Sequence, residues 1–167
     1  PSGVDYDMWL GPAPKRRFNS RRFHGSWRWF LDYGTGDLGN DGVHLLDLAR
    51  WGLQSAVGAE GKQLPATPQA VSAHGGKYYF DDDQQWPDTA MVTYDFGGYL
   101  LTYELRIWTP YRLEGEAEGA AIYGDNGYVT VGHERWRAFD AKGKLTTEES
   151  GTHDDAGHAQ NFLDCMR

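Results

Sequence analysis

The sequence predicts an α+β fold in which a mostly antiparallel, open sheet carries helices on one face. From residue 69 onward, short segments rich in β-forming residues are separated by turn signals, which is the pattern of an antiparallel meander. One segment with helical spacing of apolar residues precedes these strands, and a second follows them. Helices placed before and after a run of strands are typical of α+β domains.

Composition limits the size of the fold and its partners. At 167 residues the chain has room for one sizeable core, so we expect a single domain over residues 1–167. The formal net charge of −8 leaves little basic surface for a phosphate backbone or an anionic membrane. No apolar run approaches the roughly 20 residues of a membrane span. We therefore expect neither nucleic acid nor a membrane as a partner.

The segments around the sheet are predicted in chain order. Residues 1–39 are rich in Pro, Gly, Arg and aromatic residues without a sustained period, which predicts a long ordered loop with short extended pieces. Asn40 is expected to cap a helix that runs to about Leu53 and ends in the Gly-, Ala- and Pro-rich stretch 54–68. A second helix is predicted over Gly157–Arg167.

Turn signals divide the β-rich part into six predicted strands. Gly97-Gly98 has the spacing of a two-residue hairpin, and Asp125-Asn126-Gly127 is a second tight turn. In the third strand apolar residues alternate with polar or long ones, so one face is expected to meet helices. The other face carries Glu104, Arg106 and Trp108 and is expected to be solvated or to meet a second subunit. The strands are Ala70–His74, Asp88–Phe96, Tyr99–Trp108, Ala120–Tyr123, Tyr128–Val131 and Arg135–Phe139.

The helix after Gly39 has two predicted faces. Rotation by about 100° per residue assigns to the packing face Val43, Leu45, Leu46, Ala49 and Leu53. The opposite stripe carries Asn40, His44, Asp47 and Trp51. A histidine between an amide and a carboxylate suits proton transfer, because its neighbours can fix the tautomer of the imidazole. The alternative, a solvated face with a surface histidine, stays open at this point.

Several segments together resemble one protein family. Trp27-Arg-Trp-Phe30 and Gly36-Asp-Leu-Gly-Asn-Asp-Gly-Val-His-Leu-Leu-Asp-Leu-Ala-Arg-Trp51 strongly resemble the C-terminal domain of the Gfo/Idh/MocA oxidoreductases. The resemblance extends over nearly the whole chain. Its further members are Asp7-Met-Trp-Leu-Gly-Pro-Ala-Pro14, Pro87-Asp-Thr89, Tyr103-Glu104 and Asn161-Phe-Leu-Asp-Cys-Met-Arg167.

The resemblance implies a two-domain oxidoreductase. A Rossmann domain would bind NAD or NADP and precede this domain, whose open sheet would mediate homo-oligomerisation. We therefore expect the chain to be truncated at both ends, without that Rossmann domain. The resemblance also implies hydride transfer from a sugar-like secondary alcohol, with His44 matching the family's acid/base histidine. The family's Asp four residues earlier is Asn40 here. Either Asp47 supplies the charge instead, or this chain runs a different redox step on sugars.

Four further residues are candidates for contact with a substrate: Arg22, Trp27, Arg28 and Asp41. Aromatic rings stack on the C–H faces of sugars, and guanidinium groups bond to hydroxyl or carboxylate groups. Trp27 and Arg28 lead into the turn before His44 and are the stronger pair. The alternative is that the rings form core and the arginines are solvated.

The remaining motifs are assigned to structure. Gly34-Thr-Gly-Asp-Leu-Gly39 satisfies G-x-G-x-x-G, but Asp37 and Asp41 would repel a pyrophosphate. We interpret these glycines as positions where the backbone passes close beneath a substrate or cofactor. Asp81-Asp82-Asp83 predicts a solvated turn. No metal site is expected, because ligand spacing is lacking among Cys165 and the other histidines, His24, His74, His133, His153 and His158.

The leading functional hypothesis is an NAD(P)-dependent oxidoreductase for a sugar, sugar acid or cyclic polyol. Two alternatives stay open: an NAD-assisted glycoside hydrolase of the same family, and a non-catalytic carbohydrate-binding or assembly module. His44 and Asp47 on one stripe favour the enzymes. With Cys165 as the single cysteine, no intrachain disulfide forms. A cytoplasmic location is the default expectation, and export stays open.

Overall fold

A computed structural model describes residues 2–152 and 154–167. The chain forms two compact units, Pro1–Pro110 (unit 1) and Tyr111–Arg167 (unit 2). Helices accompany two open antiparallel sheets, so the predicted α+β class is confirmed. The strands belong to two sheets, of three and four strands, instead of one continuous meander. One domain over residues 1–167 stays a prediction, since a domain can contain more than one compact unit.

Unit 1 begins with short helical segments. Helix α1 spans Tyr6–Leu10, a 3₁₀ turn spans Ser26–Trp29, and α2 spans Gly36–Asn40. Most of residues 11–35 is loop as predicted, but the predicted extended pieces are wrong, because the short elements of this segment are helical. Asp5 caps α1 by accepting a hydrogen bond from the backbone N–H of Met8 at 3.0 Å. Helices of four or five residues are too short to show an amphipathic period in the sequence.

The long helix α3 spans Gly42–Ala59 and differs from its prediction at both ends. Asn40 is not its cap, because Asn40 is the last residue of α2 and Asp41 lies between the two helices. The helix also continues past the expected end at Leu53. This extension buries Val57 to 2% exposure, and that burial offsets the roughly 1 kcal/mol that each helical glycine costs.

Three strands follow α3 in unit 1. They are β1 Ala70–Gly76, β2 Thr89–Asp95 and β3 Leu100–Arg106, paired in the order β1-β2-β3. The alternation predicted for β3 is confirmed, because Tyr103 and Leu105 are buried. Trp108 does not extend β3. Its indole N–H donates at 2.8 Å to the hydroxyl of Thr89, the β2 partner of Arg106, so the ring lies beside the outer sheet face although Trp108 is not part of the strand.

Two clusters of buried side chains join α3 to this sheet. One contains Val92, Tyr103 and Leu105, with Leu45 and Leu46 packed against it. The other contains Val57, Leu64 and Phe96, with Leu53 packed against it.

Val43 was predicted to pack here, but it is 52% exposed. The residue that approaches the sheet instead is the buried Gly42, where an added Cβ would lie 2.8 Å from the Tyr103 hydroxyl oxygen. The helix therefore comes so close to β3 at this point that only glycine fits without rearrangement.

Unit 2 is a four-stranded sheet followed by a helix. The strands β4 Ala120–Gly124, β5 Gly127–Val131, β6 Arg135–Asp140 and β7 Leu145–Ser150 pair in sequence order. Strand β7 was not predicted, because its sequence Leu-Thr-Thr-Glu-Glu-Ser has no alternating apolar residues. Helix α4 spans Asp155–Cys165, so it begins and ends two residues earlier than the predicted helix Gly157–Arg167.

A ladder of aromatic rings packs one face of the unit 2 sheet. Tyr123 pairs with Tyr128, and Tyr128 pairs with Phe139 on the next strand. Their ring centroids lie 5.5 and 4.6 Å apart in stacked orientation. Arg137 covers the Phe139 ring at 5.5 Å and forms an ion pair with Glu116 at 3.0 Å. Ring stacking and ion pairing thus stabilise this sheet.

Candidate functional site

His44 lies in the first turn of α3 and its side chain is exposed. Asp47 and Trp51 follow three and seven residues later, and both are exposed, Trp51 to 68%. These spacings place side chains on one side of a helix. Unit 1 therefore presents an imidazole, a carboxylate and an indole on one solvent-facing surface of α3, which we call the His44 face.

Asn40 is held differently from the rest of the predicted stripe. It ends α2, is half-buried, and its amide donates to the Asp41 carboxylate at 2.9 Å. The backbone N–H of His44 donates in turn to the Asp41 carbonyl at 3.1 Å. Asp41, a predicted substrate ligand, thus takes part in the junction between α2 and α3.

The glycine-rich turn before α3 is filled by the chain's own residues. A Cβ added at Gly34 would lie 2.6 Å from the Arg28 carbonyl oxygen, and one at Gly36 would lie 2.8 Å from the Trp86 ring. Gly36 also has a φ of +66°, which disfavours any other residue. The glycines therefore serve close internal packing, and the interpretation that they pass beneath a substrate or cofactor is wrong for these two positions.

The loop between β1 and β2, residues 77–88, lies over this turn. The Trp86 indole N–H donates to the Gly34 carbonyl oxygen at 2.9 Å. The backbone N–H of Gln85 donates to the Trp29 carbonyl oxygen at 2.9 Å. Within the loop, Lys77 forms an ion pair with Asp82 at 2.9 Å, which fits the prediction of a solvated acidic turn.

Asp88 ends the β1–β2 loop and is completely buried. Its carboxylate accepts from the backbone N–H groups of Tyr78, Tyr79 and Phe80 at 2.8–3.0 Å and from the Thr89 hydroxyl at 2.7 Å. Burial alone would raise the pKa of this carboxyl, but these hydrogen bonds outweigh that cost and hold the pKa well below its usual range. Sequence reasoning missed this role, because backbone donors leave no side-chain pattern.

The predicted substrate residues lie in and beside the 3₁₀ turn. Trp27 is 36% exposed. The Arg28 guanidinium lies 4.7 Å from the centroid of the Trp29 ring, and its Nε is buried with no hydrogen-bond partner in the described part of the chain. The Arg22 guanidinium covers the Phe30 ring at 5.7 Å and donates to a backbone carbonyl. Both arginines thus cover rings, whereas Trp27 remains accessible.

Other aromatic residues of the N-terminal segment pack on one another. Their centroids lie 5.1–5.7 Å apart. Burial, followed by the nearby Tyr6, raises the pKa of the Tyr33 hydroxyl. Packing of these rings on one another is what the core interpretation predicts. The rings are Tyr6, Trp9, Phe18, Phe23 and Tyr33.

A protein-family model matches the part of the chain that carries the His44 face. Residues 1–97 match the Gfo/Idh/MocA model described as "Oxidoreductase family, C-terminal alpha/beta domain". The chain belongs to the Gfo/Idh/MocA oxidoreductase family. The match includes the His44 face and the β1–β2 loop, and it ends before β3. The likeness seen at Tyr103-Glu104 and Asn161–Arg167 stays a prediction. No curated protein matches the chain.

Gfo/Idh/MocA proteins are oxidoreductases that generally use NAD or NADP. A dinucleotide needs an open glycine turn whose backbone can approach the pyrophosphate. The turn at Gly34–Gly39 does not fit that need, because Arg28 and Trp86 fill the space beside it. The residues of this turn therefore do not form a phosphate-binding cradle.

Neither a metal cluster nor a membrane-spanning helix occurs in the described part of the chain. Within residues 2–152 and 154–167, no group of three His, Cys, Asp or Glu side chains could hold a metal ion. His133 pairs with Glu118 at 2.9 Å, and His153 lies outside the described residues. In the same part of the chain, no helix has the length and apolar character needed to cross a membrane.

Proposed function

We propose that this chain is the substrate-side domain of an NAD(P)-dependent oxidoreductase that acts on a secondary alcohol of a sugar, sugar acid or cyclic polyol. The observation that carries the proposal is the His44 face, an exposed imidazole beside a carboxylate within the segment that belongs to an oxidoreductase family. The nicotinamide, held by a Rossmann domain, would supply the hydride acceptor. His44 would take the hydroxyl proton of the alcohol.

Asp47 has a defined part in this proposal. It lies three residues after His44 on the same exposed face, at a spacing that makes helix side chains neighbours, so we assign to its carboxylate the charge that the family's Asp would supply. Asn40 cannot supply this charge, and its amide contacts Asp41. Trp27 and Arg28 would contact the substrate, the indole by stacking on ring C–H groups and the guanidinium by bonding to hydroxyl or carboxylate oxygens.

A substrate panel tests the proposal on the intact protein. NADH or NADPH formation would be followed with sugars, sugar acids and cyclic polyols, and with short aliphatic alcohols as controls. We expect turnover with at least one of the first three classes and none with the controls. Release of sugar from a glycoside would instead indicate the hydrolase alternative. Sugar binding without either reaction would indicate a non-catalytic module.

We also propose that the outer face of the unit 1 sheet joins two copies of the chain. This face carries Met91, which is 49% exposed, and an ion pair between Glu104 and Arg106 at 2.9 Å. A partly apolar sheet face with paired charges suits an interface between identical subunits. Sedimentation of the intact protein should show a dimer or larger that Met91→Glu dissociates. A monomer at high concentration would contradict this.

A further inference from the structure

We propose that Asp88 is a positioning residue for His44, Trp27 and Arg28, because it fixes the β1–β2 loop that holds the backbone between the 3₁₀ turn and α2. Asp88 itself does not contact the substrate in this scheme. The inference rests on the proposed function for its kinetic consequence, and on geometry alone for its structural one.

The first step is the attachment of the loop to Asp88. Three consecutive backbone N–H groups, of residues 78–80, converge on one carboxylate at 2.8–3.0 Å. Hydrogen bonds to an ionised acceptor are stronger than neutral ones. The ring of Tyr79 also stacks on Trp108 at 4.9 Å, and Trp108 donates to the same Thr89 hydroxyl that donates to Asp88. Both the main chain and a side chain of the loop are therefore anchored.

The β1–β2 loop is hydrogen-bonded to the backbone between Trp29 and Gly34. The Gln85 side-chain oxygen accepts from the backbone N–H of Leu31 at 3.0 Å, while the Gln85 N–H donates to the Trp29 carbonyl oxygen at 2.9 Å. The Trp86 indole donates to Gly34 at 2.9 Å, and its ring occupies the space that a side chain at Gly36 would need. The loop thus holds the segment from Trp29 to Gly34 through three of its backbone groups.

The backbone held by the loop joins the 3₁₀ turn to α2. Trp29 is the last residue of the 3₁₀ turn that carries Trp27 and Arg28. Gly36 is the first residue of α2, which continues through Asp41 into α3 and His44. A displacement of the loop would therefore move the two substrate residues and the proposed acid/base together.

The electrostatics of Asp88 support a geometric role. No ion pair in the described part of the chain includes Asp88, so its buried charge is compensated by hydrogen bonds alone. Burying an unpaired carboxylate carries a large desolvation cost. An apolar residue at this position would avoid that cost but could not orient three successive amides.

Asp88→Asn in the intact protein tests the structural arm, with Asp95→Asn as the matched control. Asp95 lies at the other end of β2, and its exposed carboxylate also accepts from a backbone N–H, that of Gly97 at 2.7 Å. By NMR, Asp88→Asn should lower the exchange protection of the Leu31 amide about tenfold or more and shift the His44 ring resonances. Asp95→Asn should do neither. Unchanged Leu31 protection and His44 resonances in Asp88→Asn would overturn the proposal.

Kinetics test whether the positioning matters for the reaction. At equal concentrations of folded protein, Asp88→Asn should raise KM about tenfold and lower kcat only a few-fold, because misplaced Trp27 and Arg28 weaken substrate binding. An unchanged KM and an unchanged kcat per folded molecule would show a merely structural role. If the wild type turns over no sugar or polyol, the proposed function fails, and the Leu31 and His44 signals still decide the coupling.

Trp86→Phe provides a second variant in case Asp88→Asn does not fold. It keeps a ring over Gly36 and removes only the hydrogen bond to Gly34. The His44 resonances should shift and KM should rise, while the amides of residues 78–80 keep their protection. Unchanged His44 resonances and KM in this variant would also overturn the proposal.

Discussion

The two units stabilise an antiparallel sheet by different means. Unit 1 packs α3 on its sheet around two clusters that contain six buried apolar side chains: Val57, Leu64, Val92, Phe96, Tyr103 and Leu105. In the described part of unit 2, Thr130 is the only buried residue, and stacked rings and ion pairs cover the sheet. A site needs rigid supporting elements, so the difference indicates why the family match and the His44 face both belong to unit 1.

The largest effect that would sharpen this contrast is on turnover. If unit 1 carries the chemistry, His44→Ala should lower kcat of the intact protein by about 10²–10⁴-fold, as for loss of a general base. His158→Ala is the matched control, because His158 is also an exposed helical histidine but lies in unit 2. Equal activities of the two variants in steady-state assays would remove the catalytic role from the His44 face.

The second effect concerns stability. Asp88→Asn should lower the free energy of unfolding at pH 7 by about 2–3 kcal/mol, because a buried charged acceptor of several hydrogen bonds is lost. Asp95→Asn, at the exposed end of the same strand, should cost less than about 1 kcal/mol. Urea denaturation of the three proteins would measure both differences. Equal costs would show that burial of Asp88 adds nothing.

The same variant has a defined pH dependence. The pKa of Asp88 is lower in the folded than in the unfolded chain, so its stabilisation is fully present above the unfolded value, about 3.9. It is lost as the pH falls below that value towards the folded-state pKa. The gap between wild type and Asp88→Asn should therefore narrow when urea denaturation is repeated from pH 7 down to pH 3. A constant gap would argue against an ionised Asp88.

The aromatic ladder gives a smaller effect, confined to unit 2. Tyr128→Leu should destabilise this unit by about 1–2 kcal/mol, because Tyr128 stacks with a ring on each side. Tyr123→Leu should cost less than about 1 kcal/mol, because Tyr123 has one stacked neighbour and is 65% exposed. Hydrogen exchange should report the loss in β4–β6 and leave β1–β3 unchanged. Equal losses in both units would break the contrast between them.

The smallest effect tests where α3 packs. Val43→Ser should change the free energy of unfolding by less than about 0.5 kcal/mol, because Val43 is exposed. Thermal denaturation would show this as a nearly unchanged Tm. A drop of several degrees would mean that Val43 is buried, as periodicity alone predicts.

Sequence reasoning succeeded where periodicity reports burial. The alternation in β3 and the core of α3 follow from apolar spacing that tertiary packing then uses. It failed where a single contact overrides the period, as at Gly42, and where an element has no apolar pattern, as in β7. The exposed His44 face could be anticipated from helical spacing. Asp88 could not, because its partners are backbone amides donated from a loop.

The attachment of Asp88 to backbone amides has a consequence for how this region can vary among relatives. Every residue except proline offers the same N–H group, so positions 78, 79 and 80 can exchange their side chains without loss of these hydrogen bonds. Position 88 has no such freedom, since its carboxylate accepts all three of these hydrogen bonds. The exposed side chains of Tyr78 and Phe80 can therefore vary while the loop keeps its place, whereas the Tyr79 ring also anchors the loop by stacking on Trp108.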